Sequence, residues 1–218
     1  NRTHYSIHRA FSKPRDLAKA AKEAGYTHCG ICDYANISGA VEFFEACEKH
    51  KIIPVIGCDF GSDRVFALNK DGWYELVCLV TSVSCDNFLN RDSLGSPNLI
   101  VVNDDLHDCR YIDKSDQDMY ALTRALGEKV KTADLNEPIE GFHFASNEEL
   151  VDLPVYQTII DRSSPYTILG PPKLPHFDSG EATEIGALRK LVERGFKTKL
   201  DHIDPDIVQT YRDRVSYE

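Results

Sequence analysis

Hydrophobic positions in the first quarter of the chain alternate between helical spacing and short apolar runs. A helix is predicted after Pro14 and ends at Gly25, because its apolar residues share one face: Leu17, Ala20, Ala21 and Ala24. A strand is predicted over 26–33 and a second amphipathic helix after the N-cap candidate Ser38. The next strand, 52–59, is almost entirely apolar, which is typical of strands buried on both faces. The strand–helix–strand order predicts an α/β fold.

The following segment predicts more strands and then a return to helix. Residues 64–68 and 73–81 are expected to be strands, with a turn at 69–72 between them. A helix is predicted over 114–130, with Met119, Leu122 and Leu126 on one face.

The last third of the chain is predicted to consist of short helices and a connector. Residues 146–150 contain a capping box and predict a short helix. Residues 154–180 are rich in Pro and Gly and predict an extended connector. Two helices are expected in 181–218, the first capped by Ser179 and the second from Asp206; the inward positions of the first are Ile185, Leu188, Leu191 and Val192. The predicted organisation is therefore a domain over 1–153, the connector, and a helical segment.

Composition narrows the class of protein. The 218 residues include 25 Lys and Arg against 35 Asp and Glu, and the net charge of −10 disfavours direct electrostatic binding to DNA. No apolar run approaches the roughly 20 residues that a bilayer span requires, so we expect a soluble protein. The seven cysteines predict thiols in a reducing cytoplasm. Cys29 and Cys32 lack the two further ligands that a zinc site needs and are interpreted as core thiols.

Two carboxylates follow the predicted parallel strands. Asp33 and Asp59 end their strands, and the carboxyl ends of parallel strands meet at one edge of a sheet. Together they could hold a divalent metal or perform acid–base chemistry. The alternative is that each caps the segment that follows it. His8 could reach the same edge, with an ordinary surface or core histidine as the alternative.

Several stretches resemble the PHP (polymerase and histidinol phosphatase) domain family. They are residues 7–12 (IHRAFS), 32–43 (CDYANISGAVEF) and 53–59 (IPVIGCD). The phrases GAVEFF and IPVIGCD are similar to the branch found at the N-terminus of bacterial C-family DNA polymerases, the polymerase III alpha subunits. Weaker matches are residues 74–79, 108–113, 141–150 and 211–218.

The resemblance implies a distorted β/α barrel with a metal cluster at the C-terminal rim, which in active members gives a phosphatase or a proofreading 3′–5′ exonuclease. Only residues 76–107 separate the third family motif from the fourth, where the family has several strands and helices. We therefore expect an abbreviated PHP-like barrel with a C-terminal helical appendage leading toward a polymerase palm.

Carried over by position, the family's ligands are partly replaced. Three histidines of the family correspond to vestigial positions: Ser6, Tyr34 and Arg110. The metal ligands that could remain are His8, Asp33, Asp59, Glu75 and Asp108. The resemblance thus implies that a three-metal centre is absent, and it assigns no catalytic residue. No cofactor is expected beyond at most a single zinc or manganese ion. An ion pair from Arg110 to Asp33, Asp59 or Asp108 is a hypothesis for what replaces the metal.

The function that the resemblance implies is that of the N-terminal PHP region of a replicative polymerase alpha subunit with a mainly structural role. Its expected partners are the rest of the polymerase, other replication proteins and a proofreading exonuclease, with DNA contacted only indirectly and no membrane. The expected location is the bacterial cytoplasm, or the host cytoplasm for a phage copy. Two alternatives stay open: a metal-dependent phosphoesterase or exonuclease, and a free-standing interaction module.

Overall fold

The structure is a computed structural model, and it divides the chain into two compact units, 1–170 and 171–218. The residues that it describes are 1–86, 89, 91–103, 106–136, 138–146, 148–150, 154–171, 180–199 and 202–217. The predicted cap Ser179 lies outside them.

The first unit contains four strands and five α-helices within its described residues. The strands are β1 (His28–Tyr34), β2 (Ile53–Asp59), β3 (Arg64–Ala67) and β4 (Leu99–Val102). The helices are α1 (Pro14–Glu23), α2 (Ala40–His50), α3 (Lys70–Asp86), α4 (Gln117–Glu128) and α5 (Pro154–Arg162). The second unit contributes α6 (Glu184–Lys199) and α7 (Pro205–Tyr217).

The described strands form one sheet in the order β1-β2-β3-β4. β1 and β2 are parallel, whereas β2–β3 and β3–β4 are antiparallel. The α/β class is confirmed, and the first two helices and strands lie within about two residues of their predicted bounds. The abbreviated barrel and the palm-directed appendage stay predictions.

The sheet buries apolar side chains on both faces. One face packs against α1, α2 and α3 in the main core, whose fully buried members include Leu17, Ile31, Phe43, Ile56 and Leu76. The opposite face, called the α5 face from here on, carries a smaller cluster: Cys32, Val55, Phe66, Val102 and Ile159. Burial on both faces accounts for the nearly continuous apolar sequence of β2.

Helix α5 corrects the prediction of an extended connector over 154–180. Pro154 occupies the first helical position, where its missing N–H costs no hydrogen bond. Val155 and Ile159 lie one helical turn apart and pack against the α5 face. Tertiary packing therefore overrides the Pro- and Gly-rich composition in this stretch.

Helix α3 corrects the predicted strand at 73–81. The side chain of Asn69 accepts a hydrogen bond from the Gly72 N–H at 2.9 Å, so the predicted turn is a helix start. Leu76 and Leu79 are buried at helical spacing. An apolar run alone does not distinguish a buried helix from a buried strand, and the prediction of a strand is wrong here.

Two helices expose the apolar residues that the sequence placed on one face. On α4 these residues are Met119, Leu122 and Leu126. The face that packs inward carries Tyr120, Ala121 and Ala125. On α6, which continues past Gly195, the expected inward residues Ile185, Leu188 and Leu191 are exposed as well.

The predicted helix at 146–150 is a turn in its described residues. The Glu149 carboxylate accepts hydrogen bonds from the Ser146 N–H and hydroxyl at 3.2 Å each. The capping interaction therefore forms without a helix behind it. Among the described helices, none combines the length and the apolar character needed to cross a bilayer.

The close contact between β2 and β3 gives a first prediction. A Cβ atom at Gly57 would lie 2.5 Å from the Phe66 ring and 2.7 Å from the Val65 carbonyl oxygen, so Gly57→Ala forces β3 to shift. We expect it to lower the free energy of unfolding by about 1–3 kcal/mol in urea titrations followed by circular dichroism. Gly30→Ala is the control, because its Cβ meets Val55 at 3.5 Å and is accommodated. Equal losses for the two variants would contradict this account of the packing.

Candidate functional site

The site lies at the C-terminal ends of the parallel strands β1 and β2. Asp33 and Asp59 are both buried, with 1% and 3% of their surfaces exposed. Their register places Tyr34 directly opposite Asp59. The parallel pairing thus brings the two predicted carboxylates to one edge, as the sequence indicated.

Asp33 is surrounded by neutral hydrogen-bond donors from the N-terminal segment. Its carboxylate accepts bonds from the Thr3 N–H and hydroxyl, both at 2.7 Å, and from the Ser6 hydroxyl at 2.6 Å. The Ser6 oxygen in turn accepts the Tyr34 N–H at 3.0 Å. Ser6 therefore links the N-terminal segment to the end of β1.

Arg2 bridges the other two carboxylates of the site. Its Nη2 lies 2.7 Å from Asp59 Oδ2, and its Nε lies 3.1 Å from Asp108 Oδ1. The Arg2 N–H also donates to the Cys109 carbonyl at 2.8 Å. Sequence reasoning did not single out Arg2, because nothing in the local pattern connects it to residues that lie 57 and 106 positions away.

Arg110 forms an ion pair with Asp108, one of the three carboxylates that were predicted as its partner. Its Nε lies 3.0 Å from Asp108 Oδ2. Its Nη1 donates to the Tyr120 hydroxyl oxygen at 2.6 Å, and the guanidinium lies 4.0 Å from the centre of the Phe142 ring. Asp108 is thus held between two arginines.

The charges of this cluster favour ionised Asp108. Burial acts to raise the pKa of its carboxyl, but the neighbouring Arg2 and Arg110 outweigh burial, and the pKa lies below its ordinary value. Burial likewise acts to lower the pKa of Arg110, and the Asp108 charge reverses this, so the pKa is raised.

His8 does not join the carboxylates as a ligand would. The segment around His8 is coiled by hydrogen bonds such as the one from the Arg9 N–H to the Ser6 carbonyl at 2.8 Å. His8 has a φ of 60° and is exposed beside Gly127 of α4. The turn directs Ser6 toward Asp33, and His8 packs elsewhere.

Glu75 was predicted as a substitute ligand, and the structure places it at the other end of the sheet. It belongs to α3, and its Oε1 accepts a hydrogen bond from the Asn98 side chain at 2.8 Å. Asn98 comes directly before the first residue of β4. Asp59 pairs with Arg64 of β3, and Arg64 in turn pairs with the last residue of β4, so Asp59 and Asn98 lie at opposite ends of the sheet. The error follows from reading 73–81 as a strand.

Tyr34, the remaining position that was predicted to be vestigial, is partly exposed. Its ring carries the Arg9 guanidinium at 3.9 Å, in the geometry of a cation–π contact. The core thiols Cys29 and Cys32 are buried as expected, and burial raises their pKa to about 11 and about 12. Within the described ranges, no group of three or more His, Cys, Asp or Glu residues is placed to hold a metal ion.

A family model for the PHP domain matches residues 1–137, well over half of the chain. The chain belongs to the PHP domain family. Its curated relatives include DNA polymerase III alpha subunits. That of Buchnera aphidicola from Schizaphis graminum is 33% identical over 35% of this chain and 8% of its own length. That of Ureaplasma parvum is 22% identical over 99% of this chain and 26% of its own length.

The chain therefore spans only a small part, between 8% and 26%, of these relatives. A Helicobacter pylori alpha subunit is 28% identical over 39% of the chain. Among solved structures, a Bifidobacterium adolescentis protein that has been assigned as a metal-dependent phosphoesterase superposes with a TM-score of 0.31 at 13% identity. That match covers 74% of this chain and 72% of that one, and it is too weak to inform function.

The buried position of Arg2 in the PHP domain predicts a large effect on stability. Arg2→Met leaves Asp59 without its closest cation, and breaking a buried pair costs about 3–5 kcal/mol. The control is Arg15→Met, because Arg15 is 74% exposed in its pair with Glu42 and such pairs contribute about 1 kcal/mol or less. Both values are measured by urea unfolding at pH 7. Similar losses for both variants would refute a special role for Arg2.

The depressed pKa of Asp108 predicts an acid-dependent contribution to stability. As the pH falls, the unfolded chain takes up the Asp108 proton first, near pH 3.9, so this contribution is present above that pH and is lost as the pH falls through the folded-state pKa. Asp108→Asn should therefore cost most at pH 7 and progressively less below pH 4 in urea unfolding. Asp118→Asn, at an exposed position, is the control. A constant cost of Asp108→Asn from pH 7 to pH 3 would contradict the assignment.

Proposed function

We propose that this chain is the PHP region of a C-family replicative DNA polymerase alpha subunit, and that an arginine–carboxylate network has replaced the catalytic metals of its PHP site. In this proposal the region stabilises the polymerase and does not cleave phosphoesters. The bridging of Asp59 and Asp108 by Arg2 is the observation that carries it.

The donor groups around the carboxylates support the loss of the metal site. A divalent metal needs free lone pairs, whereas all three carboxylates here accept hydrogen bonds from N–H or O–H groups. Arg2 and Arg110 also place two fixed positive charges beside Asp108, which repel a divalent ion. The residues as arranged do not fit a metal cluster.

The network can supply the structural part of what a metal does. It connects the N-terminal segment, the end of β2 and the segment around residue 108, which are distant in sequence. A metal held by the same carboxylates would join the same segments. The guanidinium, however, has no vacant coordination position and cannot activate a water molecule.

Membership in a polymerase is supported by the relatives described above, which are DNA polymerase III alpha subunits. We propose that the carboxylates that catalyse polymerisation lie outside this chain. The net charge of −10 favours contact with DNA through neighbouring parts of a polymerase instead of through this region. A proofreading exonuclease and other replication proteins are further proposed partners.

Exposed apolar positions within each unit support a role in assembly. Helix α4 exposes Met119, Leu122 and Leu126 at helical spacing, and α6 exposes Ile185, Leu188 and Leu191 in the same way. Contiguous apolar side chains on a protein surface commonly mark contacts with other proteins. These stripes favour a region that is covered by further protein.

The proposal predicts that the protein carries almost no bound metal. Protein purified without chelators should contain less than about 0.1 zinc or manganese ion per chain by elemental mass spectrometry, because arginines occupy the carboxylates. It should also leave 3′-labelled single-stranded DNA intact in the presence of manganese.

Arg2→Ala is the comparison variant, since it frees Asp59 and one side of Asp108. Saturating manganese should raise its melting temperature by about 5 °C and leave that of the wild type unchanged. Two or more metals per wild-type chain, with DNA cleavage that Asp33→Asn abolishes and Asp118→Asn preserves, would overturn the proposal and establish a nuclease.

A further inference from the structure

A cavity of about 210 Å³ lies in the first unit, between the α5 face of the sheet and the segments that cover it. Its walls come from β1, β2 and β3, from α5, and from residues 106–108 and 144–145. Its apolar wall is formed mostly by the cluster on the α5 face, and at its edge Tyr26, Cys29 and Phe144 also belong to or pack against the main core.

The walls of the cavity are mainly apolar and partly aromatic. Val55, Phe66 and Ile159 line it from the sheet and from α5. Tyr26 and Phe144 also line it and form an edge-to-face pair with ring centres 5.9 Å apart. A dry apolar cavity of about 150 Å³ suffices for benzene, so this one has room for a single ring with a short substituent.

One cation in the cavity wall has a poorly satisfied charge. Arg64 lines the cavity, and in the described part of the chain its one ion pair is a 4.0 Å approach of Nε to Asp59 Oδ2. That oxygen already accepts the Arg2 Nη2 at 2.7 Å. Arg2 itself is committed to Asp59 and Asp108, so Arg64 is the guanidinium that remains available to a ligand.

The position of Arg64 relative to the apolar wall defines the chemistry of a ligand. Arg64 and Phe66 are two residues apart on β3 and therefore lie on the same face of the sheet. A ring beside Phe66 would place a short acidic substituent within reach of the guanidinium, which binds carboxylates bidentately. The other charged side chains of the wall, Arg2 and Asp108, are engaged with each other and with Asp59 and Arg110, so Arg64 is the charged side chain of the wall best placed to meet a ligand.

We propose that this cavity binds a small aromatic carboxylic acid, with its ring among Val55, Phe66 and Ile159 and its carboxylate paired with Arg64. This binding activity does not depend on the proposed polymerase role. It does rest on the arginine–carboxylate network, because Arg2 and Asp108 form part of the wall and their pairing leaves Arg64 available to the ligand.

Phenylacetate is the probe that tests the proposal, added to the whole chain and followed by amide NMR spectra. It should bind saturably with a dissociation constant of about 1 mM, as expected for a ligand of this size. Binding should shift the amide signals of Gly30 and Phe66. Benzyl alcohol has the ring without the charge, and benzylamine has the opposite charge. Both should bind more weakly than phenylacetate.

Two variants separate the two halves of the site. Arg64→Met should weaken phenylacetate binding about tenfold and change benzyl alcohol binding less than about twofold, because only the charge-assisted contact is lost. Gly30→Leu should abolish binding of both compounds, since Gly30 lines the cavity and its Cβ position is free of close contacts. Arg15→Met, an exposed arginine on α1, is the matched control and should bind as the wild type does.

Cooperative urea unfolding of each variant shows that it is folded. The proposal is overturned by a lack of saturable phenylacetate binding at about 10 mM, far above the expected dissociation constant. It is overturned equally if benzylamine binds as tightly as phenylacetate, or if folded Gly30→Leu binds phenylacetate as the wild type does.

Discussion

The contact on which this fold depends is the guanidinium of Arg2 between the carboxylates of Asp59 and Asp108. Asp59 ends a strand inside the protein, and a buried carboxylate with neither a cation nor hydrogen-bond donors would cost several kcal/mol. Its negative charge therefore requires a partner, and the N-terminal segment supplies one by folding across the end of the sheet. The same segment brings Thr3 and Ser6 to Asp33, so that one stretch of chain satisfies both strand-end carboxylates.

The N-terminal segment covers one end of the sheet, and other segments must cover the α5 face. The short described sheet has apolar side chains on both faces, and α1, α2 and α3 cover only one of them. Helix α5 covers part of the other through Val155 and Ile159. A single helix and two short segments fill this face incompletely, because a cylinder on a twisted sheet leaves space at its sides. The cavity beside Arg64 is therefore a consequence of how the second face is covered.

Prediction from the sequence succeeded where short-range interactions determine the structure and failed where contacts between distant residues do. Caps, stops and periodicity fixed α1, β1, α2 and β2, because local signals and tertiary burial agree there. They failed at α3, whose apolar run suits helix and strand equally, and this error misplaced Glu75. They did not identify the buried face of α4, because both of its faces carry apolar residues. Asp33 and Asp59 were found because strand ends are readable, whereas Arg2 was missed because its partners are distant in sequence.

In the proposed function, the arginine network accounts for the loss of metal chemistry from the site while the fold persists. A metal ion bound by strand-end carboxylates has two separable effects: it neutralises buried negative charge, and it polarises a bound water molecule. A guanidinium provides the first effect with directed hydrogen bonds and cannot provide the second. A chain in which an arginine can reach such carboxylates keeps its strand ends together when histidine ligands are replaced. In the proposed function, Ser6 and Arg110 are therefore structural replacements for ligands, since each donates a hydrogen bond to a carboxylate of the site.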